Sequence, residues 1–181
     1  MGYYEKFLKT LAGKKAVLLL IAAFFTLSGM TAKHANFSGK WKLNESKSVR
    51  GNSLCIYDQG DRMRSEIMKI AAKANFLTID VGSPSLDGAL VTRREKLAFD
   101  GKESEVTLIR RGKTFTVKWS DDGKTMTVNS LVYLDINSEK QEFKVTEVWK
   151  LINDGKSISL QANIKSIYGE DAMNLVFDKA S

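Results

Sequence analysis

Residues 142–164 read Glu142-Phe-Lys-Val-Thr-Glu-Val-Trp-Lys-Leu-Ile-Asn-Asp-Gly-Lys-Ser-Ile-Ser-Leu-Gln-Ala-Asn-Ile164. Apolar and polar side chains alternate from 142 to 151 and again from 157 to 164. Such period-two alternation is typical of a β-strand with one buried face and one face in water. Asn153-Asp154-Gly155 stands between the two segments, and Asp-Gly supplies the positive φ that tight hairpin loops require. The stretch therefore predicts two antiparallel strands joined by a short turn.

Strands of the same kind are predicted elsewhere, over 76–81, 114–119 and 174–178. Tight turns are predicted at Asp100-Gly101 and Asp122-Gly123, with a weaker turn at Arg111-Gly112 and a loop over 82–88. Residues 62–75 fit both a helical and an alternating pattern. We expect a strand there through Ile70, followed by a turn at Ala74-Asn75.

These patterns together give about eight to ten strands with short links and no long helix. An all-β fold follows, and both a closed up-and-down barrel and a two-sheet sandwich agree with it. Almost every recognisable link is a tight turn between sequence neighbours. We therefore expect an antiparallel up-and-down β-barrel.

The first 32 residues differ in composition from the rest of the chain. Four lysines precede an apolar run over 16–27, which at 12 residues is shorter than the roughly 20 that a membrane-spanning helix needs. Small residues follow, so we expect a signal peptide over 1–32, cleaved near Ala32, and one domain over 33–181. The expected location is the periplasm or the cell exterior. An uncleaved anchor and a buried core helix are the alternatives.

Composition excludes several classes of chemistry. The chain has one cysteine, Cys55, and one histidine, His34, so it has no internal disulfide and no site with several histidines. A nucleophile with a histidine base is improbable because His34 lies beside the leader, where we expect a bystander. Three Gly-Lys-Ser/Thr strings lack the upstream glycine of a phosphate-binding loop. We expect no catalytic residues, no metal and no cofactor.

The net charge is modest once the leader is set aside. The full chain has 28 basic and 21 acidic residues, a net charge of +7. The leader holds four lysines and one glutamate, which leaves 24 basic and 20 acidic residues and a net charge of +4. A surplus this small does not indicate a nucleic-acid partner, and we expect none. The expected membrane contact is through the export signal alone.

The segment Asn36-Phe-Ser-Gly-Lys-Trp-Lys-Leu-Asn44 resembles the opening strand of the lipocalin and fatty-acid-binding barrels. Gly39-x-Trp41 corresponds to the Gly-x-Trp signature of that superfamily, and 149–156 resembles the last hairpins of bacterial exported lipocalin-like domains of unassigned function. The resemblance implies a barrel in which Trp41 closes one end beneath a central cavity. The second lipocalin motif, Thr-Asp-Tyr, is absent from the sequence. The two-helix lid of fatty-acid-binding proteins has no clear counterpart in 46–54.

Two polar residues have more than one interpretation. Glu147 lies on the apolar face of its strand, and a buried carboxylate needs a partner. We expect a bulge or strand end to turn it to solvent. The alternatives are an ion pair with one of the arginines at 93, 94, 110 and 111, and a ligand-facing group. Cys55 alternates with apolar neighbours and is expected to be a small buried hydrophobe.

Strand alternation predicts which side chains face the barrel interior. They are Trp41, Phe115, Val117, Trp119, Phe143, Val145 and Trp149, whereas Lys118, Lys144 and Lys150 face water. From these we take Trp41, Phe115, Trp119, Phe143, Glu147 and Trp149 as the candidate ligand-binding residues. The expected function is binding of a small, mainly apolar ligand inside the barrel. The alternative is a non-catalytic envelope or protein-interaction domain with a filled core, and an enzyme is the least expected class.

Overall fold

The computed structural model describes residues 34–84, 89–108, 111–136 and 138–180. The predicted leader, part of the predicted loop over 82–88, and Arg110 lie outside these residues. The described residues form ten strands: β1 Gly39–Leu43, β2 Ile67–Ala72, β3 Phe76–Pro84, β4 Leu90–Ala98, β5 Ser104–Leu108, β6 Arg111–Trp119, β7 Thr125–Ile136, β8 Glu139–Ile152, β9 Ser157–Ser166 and β10 Gly169–Ala180. Three short 3-10 helices, Glu45–Lys47, Ser53–Ile56 and Arg62–Arg64, occupy the connection from β1 to β2. No helix among the described residues is long and apolar enough to cross a membrane.

All ten strands form one antiparallel sheet in the order β4-β3-β2-β1-β10-β9-β8-β7-β6-β5. Among the described residues, sequence neighbours pair with each other except β4 and β5, and β1 also pairs with β10, so the sheet curls back on itself. Among the described residues no ladder joins β4 to β5, and β4 approaches β6 there. We call this unpaired line the seam. The predicted up-and-down antiparallel barrel is confirmed, and it is nearly closed.

Neighbouring strands run in opposite directions, so their links alternate between the two ends of the barrel. The β1–β2 connection and the β7–β8 and β9–β10 turns lie at one end, which we call the mouth. Residues 34–38 and the β6–β7 and β8–β9 turns lie at the other, which we call the closed end. The barrel therefore has its longest connection at the mouth.

The predicted faces of the strands are confirmed. Trp119 on β6 and Trp149 on β8 both pair with Met126 of β7, so the three side chains share the inner face. The predicted inward residues Trp41, Phe115, Val117, Phe143, Val145 and Trp149 are buried in the core, and Trp119 is half-buried against it. The predicted outward lysines at 118, 144 and 150 are exposed.

Several local predictions need correction. Gly112 lies inside β6, so the weak turn predicted at Arg111-Gly112 is wrong. Strand β3 continues to Pro84, so the start predicted at Gly82 for the loop over 82–88 is wrong, and the rest of that loop lies outside the described residues. Cys55 is exposed because it lies in a 3-10 helix, where the alternation of a strand does not apply. In 62–75, the strand through Ile70 and the turn at Ala74-Asn75 are confirmed, but the strand begins only at Ile67.

The closed end is sealed by aromatic side chains. The Trp41 indole donates to the Phe37 carbonyl at 2.9 Å, so the chain entering β1 packs across this end. His34 stacks on Trp119 with 4.4 Å between ring centroids and nearly parallel planes. The backbone N–H of Ala35 donates to the Gly123 carbonyl at 2.8 Å. His34, itself exposed, therefore covers one face of the Trp119 indole.

Candidate ligand-binding site

A cavity of about 330 Å³ opens beside the seam. Its walls come from four parts of the fold: β4, the paired strands β5 and β6, β7 and the β1–β2 connection. Apolar surface is supplied by Ile56, Tyr57, Phe115 and Val132. The volume lies within the roughly 300–1,000 Å³ of small-molecule sites. The barrel therefore has space for a small ligand beside the seam.

The inner face of β6 changes in character along its length. Arg111 and Lys113 line the cavity toward the mouth, and Phe115 follows them. Val117 and Trp119 continue the same row toward the closed end. Alternate residues of a strand share a face, so these five side chains form one row on the inner face of β6. The row is cationic toward the mouth and apolar toward the closed end. A molecule lying along it would meet hydrogen-bond donors at one end and carbon surface at the other.

Arg62 crosses the barrel interior from the β1–β2 connection to β8. Its side chain is 1% exposed, and that of Glu147 is 0% exposed. The Arg62 Nε and Nη2 groups donate to the two Glu147 oxygens at 2.8 and 2.6 Å. Nη1 donates to Glu95 on β4, and the Trp149 indole donates to Glu147 at 3.1 Å. One guanidinium thus joins β4 to β8 across the interior.

This network corrects the expectation for Glu147. Strand β8 runs unbroken through the position, so no bulge turns the carboxylate outward. The alternative of a structural ion pair is right, but the partner is Arg62 and not an arginine of β4 or β6. Burial works against the charge on Arg62, yet Glu147 and Glu95 outweigh it and raise the pKa of the guanidinium. A ligand-facing role for Glu147 is not supported, since Arg62 and Trp149 engage its oxygens.

Asp61 makes a second buried attachment next to Arg62. Its carboxylate accepts from the backbone N–H of Met63 at 2.9 Å, which caps the 3-10 helix Arg62–Arg64. It also pairs with Lys113 on β6 at 3.1 Å. Burial alone would raise the pKa of this carboxyl, but the charges of Lys113 and Arg62 reverse that effect and lower it. Asp61 is therefore held in its charged form.

Two buried donors at the cavity have no partner in the described part of the chain, the Tyr57 hydroxyl and Arg111 Nη1. Burial, and then the negative charge of Glu147, raises the pKa of Tyr57 far above its ordinary value. The phenol therefore keeps its proton. Leaving a buried donor unpaired costs on the order of 1–3 kcal/mol, so both groups would gain from an acceptor in the cavity.

The six predicted ligand-binding residues do not form one site. Phe115 lines the cavity. Trp41 and Trp149 are packed in the core, and Trp119 belongs to the closed end. Phe143 is buried beside Tyr168, with 6.5 Å between ring centroids. Within the described ranges, no group of three or more His, Cys, Asp and Glu side chains could hold a metal.

Comparison with known proteins gives one structural likeness. No family model matches the chain, and no curated protein matches it significantly. The ileal bile-acid-binding protein of zebrafish, solved with cholic acid, is 13% identical and superposes with a TM-score of 0.48. The match covers 80% of this chain and 98% of that one. The strand order itself is that of a nearly closed, ten-strand antiparallel up-and-down barrel in which β1 pairs with β10.

Proposed function

We propose that the protein binds a small, mainly apolar molecule with one hydrogen-bond-accepting end. The observation that carries the proposal is the cavity of about 330 Å³ beside the seam, which combines apolar walls with two buried, unpartnered donors. Most residues that line the cavity are charged, and Ile56, Tyr57, Phe115 and Val132 add apolar surface between them. Pockets that combine apolar surface with fixed polar groups are typical ligand sites. The zebrafish protein was solved with cholic acid, a small molecule of mixed character.

The orientation of the ligand follows from the position of the two unpartnered hydrogen-bond donors. Arg111 and Tyr57 would take the acceptor oxygen, while Phe115 and Val132 contact the carbon skeleton. Of the other cations at the cavity, four are paired with carboxylates: Arg93 with Asp58, Lys113 with Asp61, Arg94 with Asp80, and Arg62 with two glutamates. The fifth, Lys96, lies over the Phe76 ring. Arg111 Nη1 has no hydrogen-bond partner among the described residues, so it can donate to a ligand. We therefore expect carboxylate, sulfonate or carbonyl oxygens to be bound at Arg111.

The experiment is a fluorescence titration of the domain over 33–181 with anilinonaphthalene sulfonate, an apolar aromatic anion. Saturable binding at one site per chain is expected. Arg111→Met should weaken it about tenfold or more, because a hydrogen bond to a charged group contributes roughly 1.5–3 kcal/mol. Tyr57→Phe should weaken it less. Lys118→Met, on the outer face of the same strand, is the matched control and should leave the affinity unchanged.

Two results would contradict the proposal. One is absence of saturable binding by a folded domain. The other is binding that Arg111→Met and Lys118→Met affect equally, since the probe would then be held somewhere else. Displacement of the probe by decanoate and by decanol then compares a charged with a neutral acceptor on the same carbon chain.

A second candidate function is a non-catalytic envelope or interaction domain with a filled core. The observation favouring it is the interior below the cavity, where Trp41, Trp149 and Met126 are almost fully buried. A domain of this kind would bind no small molecule. The same titration separates the two functions.

We propose further that the protein is exported after removal of residues 1–32. Support comes from the lysines and the short apolar run of this segment, followed by small residues. Mass spectrometry of the protein from its own cells should find an N-terminus near Lys33. An N-terminus at Met1 would contradict export by a cleaved leader.

A further inference from the structure

Six lysines form a basic surface on one side of the closed end. They are all exposed, and they lie on β1, β2, β10 and the β2–β3 and β8–β9 turns. We call this surface the basic face; its members are Lys40, Lys42, Lys69, Lys73, Lys156 and Lys179. Within the described part of the chain, none of the six forms an ion pair with a carboxylate. Since the domain over 33–181 has a net charge of +4, these lysines carry more than the whole of it.

The members of the basic face are neighbours in the fold. Lys40 of β1 lies directly opposite Lys69 of β2 in the antiparallel register. The Lys179 N–H donates to the Lys156 carbonyl at 2.9 Å, and a Cβ added at Gly39 would lie 3.4 Å from the Lys179 Cε. Like charges directly opposite each other on a sheet are destabilising. The opposed lysines of β1 and β2 would therefore gain from an external anion.

The carboxylates that adjoin the basic face are engaged by other cations. Asp178 is in register with Lys42, yet its ion pair is with Lys47 of the β1–β2 connection. Asp80 is in register with a lysine of β2, yet its ion pair is with Arg94 of β4. The basic face is thus left with a surplus of positive charge that these neighbours do not compensate.

A second pair of opposed lysines, nearer the mouth, is compensated inside the protein. Lys144 of β8 lies opposite Lys165 of β9, and Lys165 pairs with Glu170 at 2.7 Å. The fold can therefore supply an acidic partner to opposed lysines. At the basic face, the described residues supply none.

We propose that the basic face docks the barrel on an anionic phospholipid bilayer, with the closed end toward the membrane and the mouth toward water. Lysines near an anionic bilayer are attracted to it over about a Debye length, ~8 Å at physiological ionic strength. The peptide bond between Lys33 and His34 joins the predicted leader to the domain at the closed end. A leader of this kind enters a bilayer, which favours a membrane over a nucleic acid as the anionic partner. The proposal does not depend on ligand binding in the cavity.

Flotation of the domain over 33–181 with lipid vesicles tests the docking. The ten strands and the core lie within 34–180, so this domain holds the whole sheet and lacks the membrane affinity of the leader itself. Vesicles of equal parts phosphatidylglycerol and phosphatidylcholine should bind it, whereas vesicles of phosphatidylcholine alone should not. Raising the salt from about 50 mM to about 500 mM should weaken binding by about tenfold or more, because exposed charges are screened.

Two triple variants with the same change of charge locate the docking surface. The basic-face variant combines Lys40→Gln, Lys69→Gln and Lys179→Gln. It should weaken vesicle binding by about tenfold or more, since each lysine near the bilayer adds to the attraction. The control changes exposed lysines on the outer face of β6 and β8, and combines Lys118→Gln, Lys140→Gln and Lys144→Gln. It should weaken binding by less than about threefold, because these charges lie farther from the bilayer.

Both triple variants should keep the urea midpoint of the wild type, because all six side chains are exposed. If the basic-face variant is less stable, Lys40→Gln alone repeats the comparison, since it removes one of two opposed charges. This single variant should weaken vesicle binding by about twofold. The single variant Lys144→Gln is then its control and should leave binding unchanged.

A spin label on the lipid headgroup measures the orientation of the docked barrel. Broadening of amide resonances should be strongest at Lys40, Lys69 and Lys179, and absent at Ile167 and Tyr168, the exposed apolar tip of the β9–β10 turn at the mouth. Strongest broadening at that tip, or equal loss of binding in the two triple variants, would overturn the proposal. So would binding of a DNA duplex as tightly as vesicles at equal phosphate concentration. Failure of the folded domain to bind anionic vesicles would overturn it as well, while the probe titration decides ligand binding separately.

Discussion

At the scale of single residues, the most telling group is Glu147. Its inward position follows from alternation along β8, and a buried carboxylate must be paired. The sequence does not reveal the partner, because Arg62 lies 85 positions away in a segment without strand periodicity. Burial of a charge can be inferred from a local pattern, whereas the identity of its partner depends on how the connection folds over the mouth.

Replacing Glu147 with Gln should destabilise the protein by about 3–5 kcal/mol. The change leaves the buried Arg62 cation with one carboxylate partner, Glu95, instead of two. Removing one partner of a buried ion pair carries a cost of this size. Urea denaturation at neutral pH measures it. Glu142→Gln, on the exposed face of the same strand, should change stability by less than about 0.5 kcal/mol. Equal midpoints for the two variants would contradict the assignment of the network.

Trp119 and Lys118 test the two faces of β6. Trp119→Ala should cost about 3 kcal/mol, since it removes a half-buried ring that contacts His34 and Phe37. Lys118→Ala should cost less than about 0.5 kcal/mol. Equilibrium denaturation gives both values. Because Trp119 lies at the closed end, its loss should leave probe affinity within about twofold, and a large loss of affinity would place the ligand at the wrong end of the barrel.

At the scale of elements, the hairpins are predictable and the β1–β2 connection is not. Alternation defines strands β6, β8 and β9 locally, and the Asp-Gly turns at 122–123 and 154–155 each join two sequence neighbours. The connection has no such periodicity. Its shape depends on capping by Asn44 and Asp61, and on pairs with strands far away in the sequence. The candidate site was therefore only partly predictable: Phe115 was found from its strand, but Tyr57, Arg62 and Arg111 were not.

The attachment of the connection should depend on pH through Asp61. Its pKa is lowered in the folded protein, so the stability it contributes is full above the unfolded value of about 3.9 and is lost as pH falls below it. Asp61→Asn keeps an oxygen that can cap Met63 but removes the charge facing Lys113. Urea midpoints should differ between wild type and variant at pH 7, and the difference should shrink as the pH falls below about 3.9. A difference that stays constant over this range would show that the charge of Asp61 is not what stabilises the fold.

At the scale of the whole molecule, a nearly closed barrel combines a packed core with a cavity beside the seam. The up-and-down order was predictable because short turns link sequence neighbours, and the pairing of β1 with β10 completes it. The seam was not predictable, since nothing in the local pattern of β4 or β5 shows that they fail to pair. The cavity lies along this seam, and the β1–β2 connection crosses the seam with ion pairs to β4 and to β6.

The most direct test of the central claim is a map of bound probe by heteronuclear NMR. Titrating anilinonaphthalene sulfonate into the labelled domain over 33–181 should shift resonances of Tyr57, Arg111, Lys113 and Phe115. Those of His34 and Trp119 at the closed end should stay in place. Shifts that cluster at the closed end or on the outer lysines, with Tyr57 and Arg111 unmoved, would contradict a binding site at the seam.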